Sequence, residues 1–168
     1  MLAPDLAVAW QALADDWPDD LKARDTLHEA LPDLGAADYH TREAAAKRVA
    51  DLGLAGATAI LRLDDHHTRL DLSAEQNREL DSILSLWRTL PEEDAAALRK
   101  DRQFLLDCLS SEDATVRAVA LQRLQGLQAD TRGFTPQDLD GDPDRRAQTV
   151  ATLRERVLAA TTRPSAEK

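Results

Sequence analysis

LPDLGAADYHTREAAAKRVADL (residues 31–52) and LDCLSSEDATVRAVALQRLQGL (residues 106–127) carry one pattern twice. Aligned without a gap at an offset of 75, they share Leu31/Leu106, Leu34/Leu109, Asp38/Asp113, Arg42/Arg117, Ala45/Ala120, Arg48/Arg123 and Leu52/Leu127, and Val49 matches Leu124. The shared positions are not scattered. A helix-end leucine pair precedes an acid, an arginine follows four residues later, and apolar residues then recur at i, i+4 and i+7, which is one helical face. Aspartate at the start of such a stripe is an N-cap residue. Arginine in the first turn stands at the positive end of the helix dipole, so using it twice implies a fixed partner. That partner is the capping acid, Asp38 or Asp113, or a neighbouring turn.

These residues resemble the HEAT-repeat family. Its unit is two antiparallel helices joined by a turn containing Asp, with V-R-x-x-A-x-x-x-L opening the second helix. SSEDATVRAVALQRL at 110–124 matches well and AADYHTREAAAKRV at 36–49 fairly, with Thr41 at the usual valine and Ala36 and Ser111 where a further Asp is common. The resemblance implies an all-α fold, a short right-handed α-solenoid of about three to four helix pairs and about eight helices. It implies one domain over residues 1–160, with clear copies at 31–52 and 106–127. The offset of 75 is close to two repeat units and places a divergent repeat at 54–90 between them. In that scheme residues 4–31 supply the N-terminal cap and the first helix of repeat one, because a solenoid needs covered ends. Asp142, Arg146, Val150 and Leu153 echo the spacing again and mark a capping helix at 143–160, followed by a disordered tail at 161–168.

Punctuation along the chain agrees with helices throughout. Leu6, Trp10 and Leu13 mark a first face, and Trp17-Pro18 breaks that segment. Leu21, Leu27, Ala30 and Leu31 mark the next helix, which Pro32 is expected to limit. Gly53 ends the helix opened by Asp38. Ser73 and Gln76 stand in capping-box positions ahead of Leu80, Ile83, Leu84 and Trp87. From Pro91 to about Leu109 one helix with a kink is expected. ADTRGFTPQDLDGDP reads as loop.

The 168 residues carry 31 acids against 21 bases, a formal net charge of −10. A nucleic-acid backbone or an anionic lipid surface calls for the opposite sign, so the expected partner is another protein. No stretch approaches the ~18 apolar residues of a membrane span, and MLAPDLAVAWQALADD has no basic start, so the expected location is cytoplasmic. The expected state is a monomer or weak homo-oligomer, with self-association running through exposed solenoid ends or an apolar patch containing Trp10 or Trp17.

Residues with site chemistry are few. DDHHTRLD (64–71) gathers Asp64, Asp65, His66, His67 and Asp71, but adjacent histidines without a further fixed ligand do not make a zinc site. His66 and His67 are candidate partner contacts that would titrate near neutral pH. DLDGDPD (138–144) fails as a calcium loop, since position six from Asp138 is Pro143 and position twelve is Thr149. Cys108 lies among leucines, and His28 and His40 have no nucleophile in view. No cofactor, metal or catalytic residue is assigned. The expected function is a non-catalytic interaction or scaffold module, with Asp38, Arg42, Asp113 and Arg117 fixing repeat register. The alternatives are a subunit of a HEAT-like lyase or other enzyme assembly, or a self-associating structural protein.

Overall fold

A computed structural model describes residues 3–65 and 68–161, and among them every regular element is helical. Nine α-helices and three short 3₁₀ turns are present among the described residues, against the eight helices expected from sequence. The chain divides into two compact units. Residues 18–89 form one, and residues 1–17 with 90–168 form the other.

The unit of residues 18–89 contains α2 (Leu21–Leu34), α3 (Tyr39–Ala50), α4 (Gly53–Asp65), a 3₁₀ turn (Thr68–Asp71) and α5 (Ala74–Ser85). Helix α2 buries Ala23, Leu27, Ala30, Leu31 and Leu34, a 3.6-period stripe that packs against α3, α4 and α5. Leu21, expected on that face, is 60% exposed because it precedes the first full turn of the stripe. Pro32 does not end the helix. It falls in the last turn, where it forfeits one backbone bond, and the helix runs on to the fully buried Leu34. The Leu31 carbonyl near that proline accepts Gln76 Nε2 at 2.6 Å.

Helix α3 turns Ala45 and Val49 inward and packs on α2, α4 and α5. Gly53, at φ +59°, makes the left-handed stop between α3 and α4. One turn on, Gly56 sits so close to α3 that an added Cβ would lie 2.7 Å from the Val49 carbonyl oxygen. The capping box opening α5 is realised: Gln76 N donates to Ser73 Oγ, and Ser73 N donates to Gln76 Oε1 at 2.7 Å. Within this unit α4 packs on α2, and α5 on α3.

The second unit contains α1 (Leu6–Leu13), a 3₁₀ turn (Ala14–Asp16), α6 (Glu92–Leu98), α7 (Arg102–Cys108), α8 (Ala114–Gly126), a 3₁₀ turn (Pro136–Leu139) and α9 (Pro143–Thr161). The expected kinked helix over 91–109 is two helices. Asp101, with extended φ and ψ, breaks it and caps α7 through bonds from Gln103 N and Phe104 N. Helix α8 is the hub, touched by α1, α7 and the 136–139 turn. It therefore buries Val116, Val119, Ala120, Leu121 and Leu124 around more than one face. Helix α9 packs on α7 through the stripe Val150, Leu153 and Val157.

Helix α1 packs on α6 and α8 and buries Trp10 and Leu13 completely. Trp17 is 6% exposed, so neither tryptophan forms the surface patch considered for self-association.

Candidate functional site: two arginine-braced turns

The connections α2–α3 and α7–α8 are built alike. Arg42 Nη1 donates to the carbonyl oxygens of Ala36 (2.7 Å) and Ala37 (3.0 Å). Arg117 Nη1 donates to those of Ser111 (2.9 Å) and Glu112 (2.8 Å). Each acceptor in one turn is the 75-residue equivalent of an acceptor in the other. A guanidinium placed in the first helical turn thus folds back over the turn before it and satisfies two carbonyls that no helix bonds. That answers the awkward dipole position: the partner is the turn, not the capping acid.

The capping acids do separate work. Asp38 Oδ2 accepts from Thr41 N and Thr41 Oγ1, both at 2.8 Å, and Asp113 Oδ1 accepts from Thr115 N (2.7 Å) and Val116 N (3.0 Å). The Thr41 hydroxyl and amide hold the Asp38 carboxyl below its ordinary value, with Arg42 contributing least.

Beyond the shared brace the two arginines diverge. Arg42 lies 3.5 Å (Nε) from Glu75 at the start of α5 and 5.9 Å from the Tyr39 ring centre, with a side chain 21% exposed. Arg117 is buried, and its Nη2 donates to Asp140 at 2.5 Å. Asp140 lies in the DLDGDPD stretch, but its pairing with Arg117, 23 residues earlier in the chain, leaves no local signal in the sequence. Arg146, third in the spacing series, makes no corresponding bond among the described residues, although Val150 and Leu153 of that echo are buried.

The other candidate groups are also engaged in structure. In DLDGDPD, Asp138 accepts from Thr135 N and Oγ1, Asp140 from Arg117, and Asp142 from Asp144 N. No group of three metal-ligating side chains converges among the described residues. Burial pushes the Cys108 thiol up to about 12, and Asp107 adds to the shift. His66 and His67 lie outside the described residues. An open cleft of about 250 Å³ is lined by Ser110 and, from α9, Pro143, Arg146, Ala147, Val150 and Ala151. No described helix is long and apolar enough to cross a membrane.

Comparison with protein-family models, with curated proteins and with solved structures found no match for this chain.

Proposed function

We propose that this chain is a non-catalytic protein-binding module built on HEAT-like repeats, with its partner a protein rather than a nucleic acid or membrane. The observation that carries the reading is the reuse of one arginine-braced helix–turn–helix at an offset of 75, which commits the conspicuous charged residues to architecture. The packing of α4 on α2 and of α5 on α3 supports a stacked-repeat arrangement of the kind solenoids use. The net charge of −10 favours a partner with a basic surface. Leu21, Tyr39 and Leu86, each at least 60% exposed, are the side chains to test first as contacts, since large apolar groups in water mark binding surfaces when they gather.

The test uses the full chain as bait in a native extract of its source cells. Every recovered protein is then purified and titrated against it by calorimetry. Saturable binding at micromolar or tighter Kd, weakened by salt and by serine at one of the three exposed positions, supports the proposal. Absence of saturable binding to any recovered protein overturns it.

A further inference from the structure

The chain enters and leaves the 18–89 unit at Trp17–Pro18 and Thr89–Leu90, so α1 is joined to the rest of its own unit only through the other one. It is nonetheless held tightly there. Trp10 and Leu13 are completely buried, and the Gln11 side chain forms a two-way amide pair with the Leu90 backbone, donating at 2.7 Å and accepting at 2.9 Å. Arg99 Nε donates to the Ala12 carbonyl at 2.8 Å, Arg99 pairs with Asp15, and Arg123 Nη1 lies 3.3 Å from Asp16.

The sequence DDWPDD (15–20) divides at the same place. Asp15 and Asp16 are anchored on Arg99 and Arg123, within the unit of α1. On the far side Asp19 meets Arg62 at 3.0 Å, and Asp20 caps α2 through Ala23 N at 2.9 Å, both within the other unit. Only Trp17–Pro18 lies between the two anchored pairs. Trp17 is extended (φ −65°, ψ 138°), as a residue before proline prefers to be. Redirecting α1 from there gives up its bonds to Leu90, Arg99 and Arg123 but leaves the Asp19 and Asp20 bonds of the other unit in place.

We infer that α1 is an exchangeable arm, so that residues 3–17 of one copy fill the α6/α8 groove of a second copy and receive the second copy's arm in return. A second copy is the occupant because it presents the groove's own ligand: Trp10, Leu13, the Gln11 amide and the two hinge acids. Each closed unit in the exchanged dimer has the same contacts as the monomer, so concentration and hinge geometry decide between them. A short tether gives an arm an effective concentration in the millimolar range. Exchange therefore requires release of α1 at high protein concentration, and the fully buried Trp10 and Leu13 make that release slow in the native state. This inference does not depend on the chain having any other protein partner.

The test refolds the full chain from denaturant at about 1 mM, which reaches that effective concentration, and at about 5 μM, far below it. A parallel native sample is concentrated to the same upper value without unfolding. Size-exclusion chromatography with light scattering follows each. The expected result is a dimer only after concentrated refolding, persisting for hours after dilution. Inserting Gly-Ser-Gly-Ser between Pro18 and Asp19 relaxes the hinge and cuts the dimer at least fivefold, and Pro18→Gly moves it in the same direction. A monomer under every condition overturns the inference. So does a dimer that forms equally without unfolding, or one that both hinge changes leave untouched.

Discussion

Replacing Arg117 with alanine removes one side chain and three hydrogen bonds, and their surroundings set the cost. Asp140 has a side chain 54% exposed and returns to water, so its share is that of a surface pair, about 0–1 kcal/mol. The Ser111 carbonyl is different. Its bond to Arg117 is buried, and a buried acceptor left without a donor costs about 1–3 kcal/mol. The Glu112 carbonyl is part-buried and recovers some hydration. The expected loss is about 2–4 kcal/mol for Arg117→Ala. Arg42→Ala removes the same two-carbonyl brace where the Ala37 bond is exposed and the side chain is 21% accessible, and should cost about 1 kcal/mol. Arg117→Lys keeps the charge but not the fork and recovers less than half of the loss. Urea titration by circular dichroism gives the midpoint shifts. Amide exchange at Ala45 and Ala120 assigns each loss to its own unit. If Arg117→Ala costs no more than Arg42→Ala, or if both cost under about 0.5 kcal/mol, the brace is not what holds these turns.

Gly56→Ala should destabilise the 18–89 unit by about 1 kcal/mol or more, because overpacking against the Val49 carbonyl exceeds the roughly 1 kcal/mol of helix propensity gained. A thermal midpoint that rises refutes the close approach. Cys108, raised to about 12, should react with a thiol reagent at pH 8 about a thousandfold more slowly than an ordinary thiol, and at the ordinary rate once urea unfolds it. Asp38 lies below its ordinary pKa when folded, so its contribution is present above pH 4 and is lost as pH falls through the folded value. Exchange protection of the Thr41 amide should decline over that acidic range, and Asp38→Asn should flatten the decline.

The helix starts were legible because capping is local. Asp38, Ser73 and Asp113 each bond within three residues, and each was identified from residue type and spacing alone. What was not legible came from farther away. A proline in the last turn of α2 was read as a stop, yet burial of Leu34 and the reach of Gln76 across 45 residues carry the helix past it. The stretch from Pro91 to about Leu109 reads as one kinked helix, and the capping bonds of Asp101 instead start a new one. The face of α1 was visible as Trp10 and Leu13, but periodicity gives a face without saying what covers it. The groove that does is formed by α6 and α8, more than 75 residues later. The arginines show the same division. Their repetition was plain from sequence, whereas their acceptors are backbone carbonyls and carry no residue signature.

The central claim is that Arg42 and Arg117 build the repeat and that binding is done elsewhere. Once a partner has been titrated against the wild-type chain, the decisive measurement is its Kd for Arg42→Ala, made where that variant is fully folded, alongside the thermal midpoint. The account predicts a lowered midpoint and a Kd within about twofold of wild type, under about 0.4 kcal/mol. A Kd weakened tenfold or more with an unchanged midpoint would contradict it and make the arginine a contact residue.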